Sequence, residues 1–192
     1  MDLTETAKWF LYLANILIII GSFYFSIKVI FLVWTWTPFY RGNAPYVPTR
    51  KWAVKAAFEM LDPKKGDRVI DLGCGDGRFV LYTVSHSDAE VTGVEISYLL
   101  MAIAKLRSFL TRKKGNLELI LDDHKSINLS PYNKIFIFGI TGLIDRLKPK
   151  FKKELKKGTR IVSVMFPIEV DWLKEIKTEK RGNYSLYLYE RI

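Results

Sequence analysis

Between Val69 and Arg78 the chain reads Val-Ile-Asp-Leu-Gly-Cys-Gly-Asp-Gly-Arg, with glycines at 73, 75 and 77 directly behind an apolar, β-favouring run. Alternate glycines in that place let the backbone turn sharply and approach a ligand where any side chain would collide. The spacing predicts a buried strand over 68–72, a tight loop, and a helix over 77–85. A buried strand that feeds a helix in this way calls for a parallel sheet with helices on both faces.

The rest of the chain obliges. Apolar residues on a helical period predict a helix ending at Leu61, with Thr49 as its N-cap, and Asp62-Pro63-Lys64-Lys65-Gly66 as a turn. Strands are expected over 90–95, 117–121, 134–138 and 159–166, and helices over 97–113 and 142–156. Near the end, 172–178 and 184–189 flank Glu179-Lys180-Arg181-Gly182-Asn183 as an antiparallel hairpin closing one edge. The expected class is α/β, a Rossmann-like, mainly parallel sheet with that hairpin at its edge.

Ahead of this domain, Trp9 to Ile27 holds no charged residue. As a helix it spans about 28 Å, close to the thickness of a bilayer core. The helix is expected to reach about Thr37 and stop at Pro38, with Lys28 snorkelling and Trp34 and Trp36 in the interface. Asp2 and Glu5 before the run argue against a cleaved signal peptide. The expected division is therefore a transmembrane helix with its flanks over 1–40 and the α/β domain over 41–192. Arg41, Arg50, Lys51 and Lys55 follow the helix and only Lys8 precedes it, which places the domain in the cytoplasm. The net charge of +10 resides downstream of the helix and favours anionic neighbours, lipid headgroups first among them.

The loop residues also indicate a ligand. Asp71, at the tip of the first strand, suits a cationic group such as the α-ammonium of S-adenosylmethionine. Glu95 closes the next strand, where its carboxylate can accept from both ribose hydroxyls. A dinucleotide fits poorly, because Arg78 stands at the sixth position of the fingerprint and Asp71 would repel a pyrophosphate. Gly73, Cys74, Gly75, Asp76, Gly77, Ile96 and Phe138 are expected to complete the cofactor's surroundings. After the third strand, Asp122 or Asp123 is expected to accept from the adenine amino group, with the reading leaning to Asp123. Cys74 is read as filling the loop rather than as a nucleophile, and His86 and His124 as surface or loop residues. The single cysteine and two separated histidines offer no metal site.

Four segments together carry a resemblance: Ala44-Pro45-Tyr46-Val47-Pro48-Thr49, the run from Ile70 to Leu81, Gly93-Val94-Glu95-Ile96, and Ile135–Gly139 leading to Arg160–Ser163 and Phe166-Pro167. They resemble the membrane-anchored, class I protein lysine methyltransferases that act on the mitochondrial ATP synthase c-subunit and the adenine nucleotide translocase, with their prokaryotic relatives. The resemblance implies that Tyr46, Pro48 and Thr49 fold over the cofactor and help wall the methyl-transfer channel. It implies a protein substrate, itself membrane-associated. Ser97-Tyr98 replace the family's frequent Asn-Pro after the ribose-binding acid. The N-terminus lacks the Arg-rich character of a mitochondrial presequence, so a bacterial or archaeal plasma membrane is expected.

A lysine acceptor must lose a proton, which from a free pKa of about 10.4 costs about 4.6 kcal/mol at neutral pH. Tyr46 and Asp123 are the candidate catalytic residues for that task. The residues leave open a small-molecule or lipid methyltransferase at the membrane, a nucleic-acid methyltransferase and a non-enzymatic S-adenosylmethionine-binding module. Against nucleic acid, Phe138-Gly139-Ile140-Thr141 stand where base methylases often carry Asn/Asp-Pro-Pro-Tyr. The basic segment 146–160 reads as a solvated helix face and a candidate contact for anionic lipid.

Overall fold

The computed structural model describes residues 3–40 and 46–192. Helix α1 (Leu3–Tyr40) contains a stretch, Ala7–Val33, with a mean hydropathy of 2.5 and none of it buried. It is long and apolar enough to cross a membrane. The helix does not stop at Pro38 but runs on to Tyr40. A proline so near a helix end removes one backbone bond in the final turn and need not break the turns before it. The interfacial roles expected of Trp34 and Trp36, and the positions of Arg41, Ala44 and Pro45, lie outside the described side chains.

The second helix, α2 (Lys51–Leu61), is capped by Arg50 rather than Thr49, without a side-chain bond. Thr49 is instead buried, and its carbonyl accepts from Arg78 Nη1 at 3.3 Å. There follow β1 (Arg68–Leu72), α3 (Arg78–His86), β2 (Glu90–Glu95), α4 (Tyr98–Leu110), β3 (Asn116–Leu121), β4 (Lys134–Ile137), α5 (Thr141–Glu154), β5 (Arg160–Val164), β6 (Leu173–Arg181) and β7 (Tyr184–Arg191). The strands form one seven-stranded sheet in the order β3-β2-β1-β4-β5-β7-β6. All neighbours from β3 to β5 are parallel, and β7 lies antiparallel to both β5 and β6.

Glu179, Lys180 and Arg181, expected in the hairpin loop, belong to β6 and pair with Leu186, Ser185 and Tyr184. The turn shrinks to Gly182-Asn183, with Gly182 at φ +60. A charged run suits a solvent-facing edge strand, where it also discourages pairing with other chains. Two-residue hairpins need positive φ, which glycine supplies.

Residues Ala53, Ala57, Phe79, Val84, Val69, Phe136 and Met101 build the core on the face that carries α2, α3 and α4. Leu143, Ile144, Leu147 and Phe151 of α5 pack with Ile70, Ile135, Ile137 and Ile161 on the other face. The strand order reverses direction between β1 and β4, and in such sheets ligands bind at the carboxyl ends of the strands flanking that crevice. Asp71 and Phe138 stand at those ends.

Candidate active site

A cleft open to solvent lies at this crevice, lined by Tyr46, Asp71, Glu95 and Phe138. Its floor is the loop after β1. Gly73 and Cys74 donate their backbone N–H groups to the Val94 carbonyl at 2.9 and 2.8 Å, and Gly77 donates to Cys74 at 2.9 Å. Gly75 has φ +56, and a Cβ there would sit 2.7 Å from Cε2 of Tyr46. Tyr46 therefore lies directly over the loop, and only a glycine lets it come so close. Gly75→Ala is expected to lift Tyr46 away, with backbone strain of about 1 kcal/mol in addition. Equilibrium dialysis should show S-adenosylmethionine binding weakened by about tenfold.

Three carboxylates define the electrostatics. Asp71 is 2% exposed, and its Oδ1 has no hydrogen-bond partner. Burial, then the charges of Glu95 and Asp76, hold its pKa well above the ordinary carboxylate range. Glu95 is raised chiefly by burial, countered by backbone donors. Its Oε2 accepts from Gly75 N at 2.9 Å and its Oε1 from Ser97 N at 2.8 Å. Each oxygen keeps lone-pair capacity for a further donor such as a ribose hydroxyl.

Asp76 is already committed. It accepts from Arg78 Nε at 2.9 Å and lies 2.6 Å from Arg107 Nη1, which also donates to the Asp76 carbonyl. The two guanidiniums clamp the glycine loop between α3 and α4. Tyr46 bonds the same carboxylate, and burial followed by the Asp76 charge pushes its phenol up to about 12. At neutral pH the Tyr46 phenol stays protonated and can donate a hydrogen bond. Neither arginine's role is evident from the sequence, although Asp-x-Arg at a helix start offers a signal for one of them.

Of the site residues expected, Tyr46, Thr49, Asp71, Gly73, Cys74, Gly75, Asp76, Glu95, Ile96, Asp122 and Phe138 all line the cleft. Pro48, Gly77 and Asp123 do not appear in its lining. Pro48 is exposed. Gly77 serves packing, since a Cβ there would meet Ala104 Cβ of α4 at 3.2 Å. Asp123 accepts from Lys125 N at 2.9 Å and stands 3.5 Å from His124 Nδ1.

His124 lies in a loop, one of the two places expected for it, but not at the surface. It is 6% exposed, lines the cleft and leaves Nε2 unpartnered. Burial lowers its pKa, against the opposing pull of Asp123, so the imidazole is neutral at pH 7. The lack of metal-ligand spacing around His124 says nothing about its burial; its place beside two aspartates after a strand is the better signal. Cys74 is buried with its thiol pushed well up, chiefly by desolvation, which suits a filler rather than a nucleophile.

An orphaned buried carboxylate, a loop stripped of side chains and a second carboxylate held by backbone donors fit a cationic, ribose-bearing cofactor. Residues 71–175 match the family of the ANTKMT methyltransferase domain. The protein-lysine N-methyltransferase of Saccharolobus islandicus (strain REY15A) is 32% identical over 153 residues, covering 78% of this chain and 95% of that one. The chain belongs to this family. It is an S-adenosylmethionine-dependent methyltransferase of class I fold. The Caenorhabditis elegans lysine N-methyltransferase of the ATP synthase c-subunit is 31% identical over 155 residues, covering 77% of this methyltransferase and 80% of the relative. Among solved structures, an RNA methyltransferase from Salinibacter ruber in complex with S-adenosyl-L-homocysteine superposes with a TM-score of 0.70 at 25% identity, covering 76% of this chain and 94% of that one.

Proposed function

We propose that this methyltransferase modifies lysine side chains of a membrane protein, working from the cytoplasmic face of a bacterial or archaeal plasma membrane in which residues 1–40 anchor the catalytic domain of residues 41–192. The observation that carries the reading is the joining of anchor to site. Tyr46, over the cofactor loop, follows the end of α1 by six residues, a reach of at most about 20 Å. A cleft tethered so closely to a bilayer meets substrates at the membrane surface. The lysine methyltransferases among its relatives support the acceptor.

When bound, S-adenosylmethionine supplies an electrophilic methyl group. In this reading Asp71 holds its ammonium, Glu95 its ribose and Asp122 its adenine amino group, with Asp122 preferred to Asp123 because it lines the cleft. Tyr46 and Thr49 cover the methionine end. Phe138 and Leu143 give the channel an apolar wall, which favours a neutral amine over an ammonium. The proton leaves more readily to a neutral group nearby, and His124 Nε2 is the available acceptor, with Asp123 behind its Nδ1. The basic segment 146–160 adds long-range attraction toward an anionic membrane without inserting into it, since Arg146, Lys152, Lys153, Lys156 and Lys157 have no acid partner among the ion pairs of the described residues.

The test is to incubate the full chain with methyl-labelled S-adenosylmethionine and a membrane extract, then separate protein, lipid and RNA. Asp71→Asn serves as the control. Label on protein lysines that disappears with the control supports the reading. Label in lipid would point to a small-molecule acceptor and label in RNA to the nucleic-acid reading, and either would overturn it.

A further inference from the structure

Helix α4 is apolar on nearly every side. Leu100, Met101 and Ala104 face the core. The opposite arc holds Tyr98, Ala102, Leu106, Phe109 and Leu110, with Leu99 and Ile103 half-buried beside them, and Lys105 adds a charge. Phe109 is 86% exposed and Leu110 77%, more open than most side chains of α1. A helix that is apolar all round normally has both faces covered, and an exposed contiguous patch of this kind marks an interaction surface.

The charges around the stripe say what covers it. Lys105 flanks it, and Arg112, Lys113 and Lys114 follow its end. None of these four pairs with an acid among the ion pairs of the described residues. An apolar face bordered by lysine and arginine is the signature of a helix lying in the headgroup region of an anionic bilayer. The tether keeps that surface beside a bilayer, and the N-cap of α4 is Ser97, whose N–H is held by the cleft residue Glu95. α5, with the basic segment, packs on the other face of the sheet.

We infer that the outer face of α4 is a second membrane contact, which inserts Leu106, Phe109 and Leu110 among anionic headgroups and fixes the cleft's orientation to the bilayer. The inference rests on the proposed anchoring by α1. The occupant is lipid, not a second copy of the chain and not α1 folding back.

The test places an environment-sensitive fluorophore on Phe109→Cys in the full chain, reconstituted in vesicles containing phosphatidylglycerol. Companion labels go on Ile18→Cys in α1 and Lys152→Cys on α5, with the buried native Cys74 checked by labelling the unaltered chain. Phe109 is exposed, so its replacement leaves the core untouched. Lipid-borne quenchers are expected to remove roughly half of the emission at 18 and at 109 and little at 152. Quenching at 18 with position 109 open to an aqueous quencher would overturn the docking while leaving the anchor intact. Position 109 shielded from water yet untouched by the lipid quencher would mean a protein occupant and would also overturn it. No lipid quenching at either site would overturn anchoring and docking together.

Discussion

Asp71→Asn is expected to make the cofactor-free enzyme more heat-stable while disabling it. The carboxyl is buried, has one oxygen without a partner and faces two other acids. Leaving such a group unsatisfied costs about 1–3 kcal/mol, and for a chain of this length its relief is worth roughly 2–12 °C in Tm. The pH dependence follows from the sign. Because the folded-state pKa lies above the unfolded value, this group favours folding fully at pH below about 3.8. That contribution is lost as pH rises through the folded pKa. A bound cation reverses the effect by stabilising the charged form. S-adenosylmethionine should therefore raise the wild-type Tm more at pH 7 than at pH 5, and the asparagine variant should lose that difference. Its affinity should fall by roughly 10- to 100-fold, the worth of one charge-assisted contact. Thermal-shift curves at both pH values check the stability, and calorimetric titration checks the affinity. A variant less stable than wild type would mean that Asp71 is already satisfied in the cofactor-free protein.

Glu95→Ala should behave in the opposite way for stability. Here the carboxylate already accepts from Gly75 and Ser97, so its removal strands two buried N–H groups, at about 1–3 kcal/mol each. The variant is expected to melt at lower temperature and to bind S-adenosylmethionine about a thousandfold more weakly, through loss of two charge-assisted bonds to hydroxyls. Glu95→Gln keeps the length but turns a donor toward one of those N–H groups, and should recover only part of the loss. Two carboxylates in one cleft thus predict opposite shifts in Tm, although both variants lose binding. Glu95→Ala retaining affinity within about threefold would remove Glu95 from the ribose-binding role.

Much of this was legible in the chain. Four of the five parallel strands, β1, β2, β4 and β5, declared themselves because they are buried on both faces and run mostly apolar, and β1 and β2 fall where the pattern put them. The glycine loop announced its turn because the geometry excludes other residues. What stayed hidden depends on neighbours distant in sequence. The Asp76 clamp needs Arg107, thirty-one residues away. The burial of His124 depends on packing around the cleft, and the extension of β6 into a charged run depends on its pairing with β7. The exposed stripe of α4 reads as an ordinary apolar helix until burial shows that only half of it faces the core.

The most direct measurement is methylation in shared against separate bilayers. The enzyme is reconstituted either into vesicles that also carry membrane proteins from the extract or into vesicles mixed with those that carry them, with methyl-labelled S-adenosylmethionine in both. An anchored lysine methyltransferase with its cleft within about 20 Å of the membrane helix predicts label on lysines of proteins in the shared bilayer and little across separate ones. Equal labelling in both arrangements, or label that settles on lipid or RNA, would contradict it.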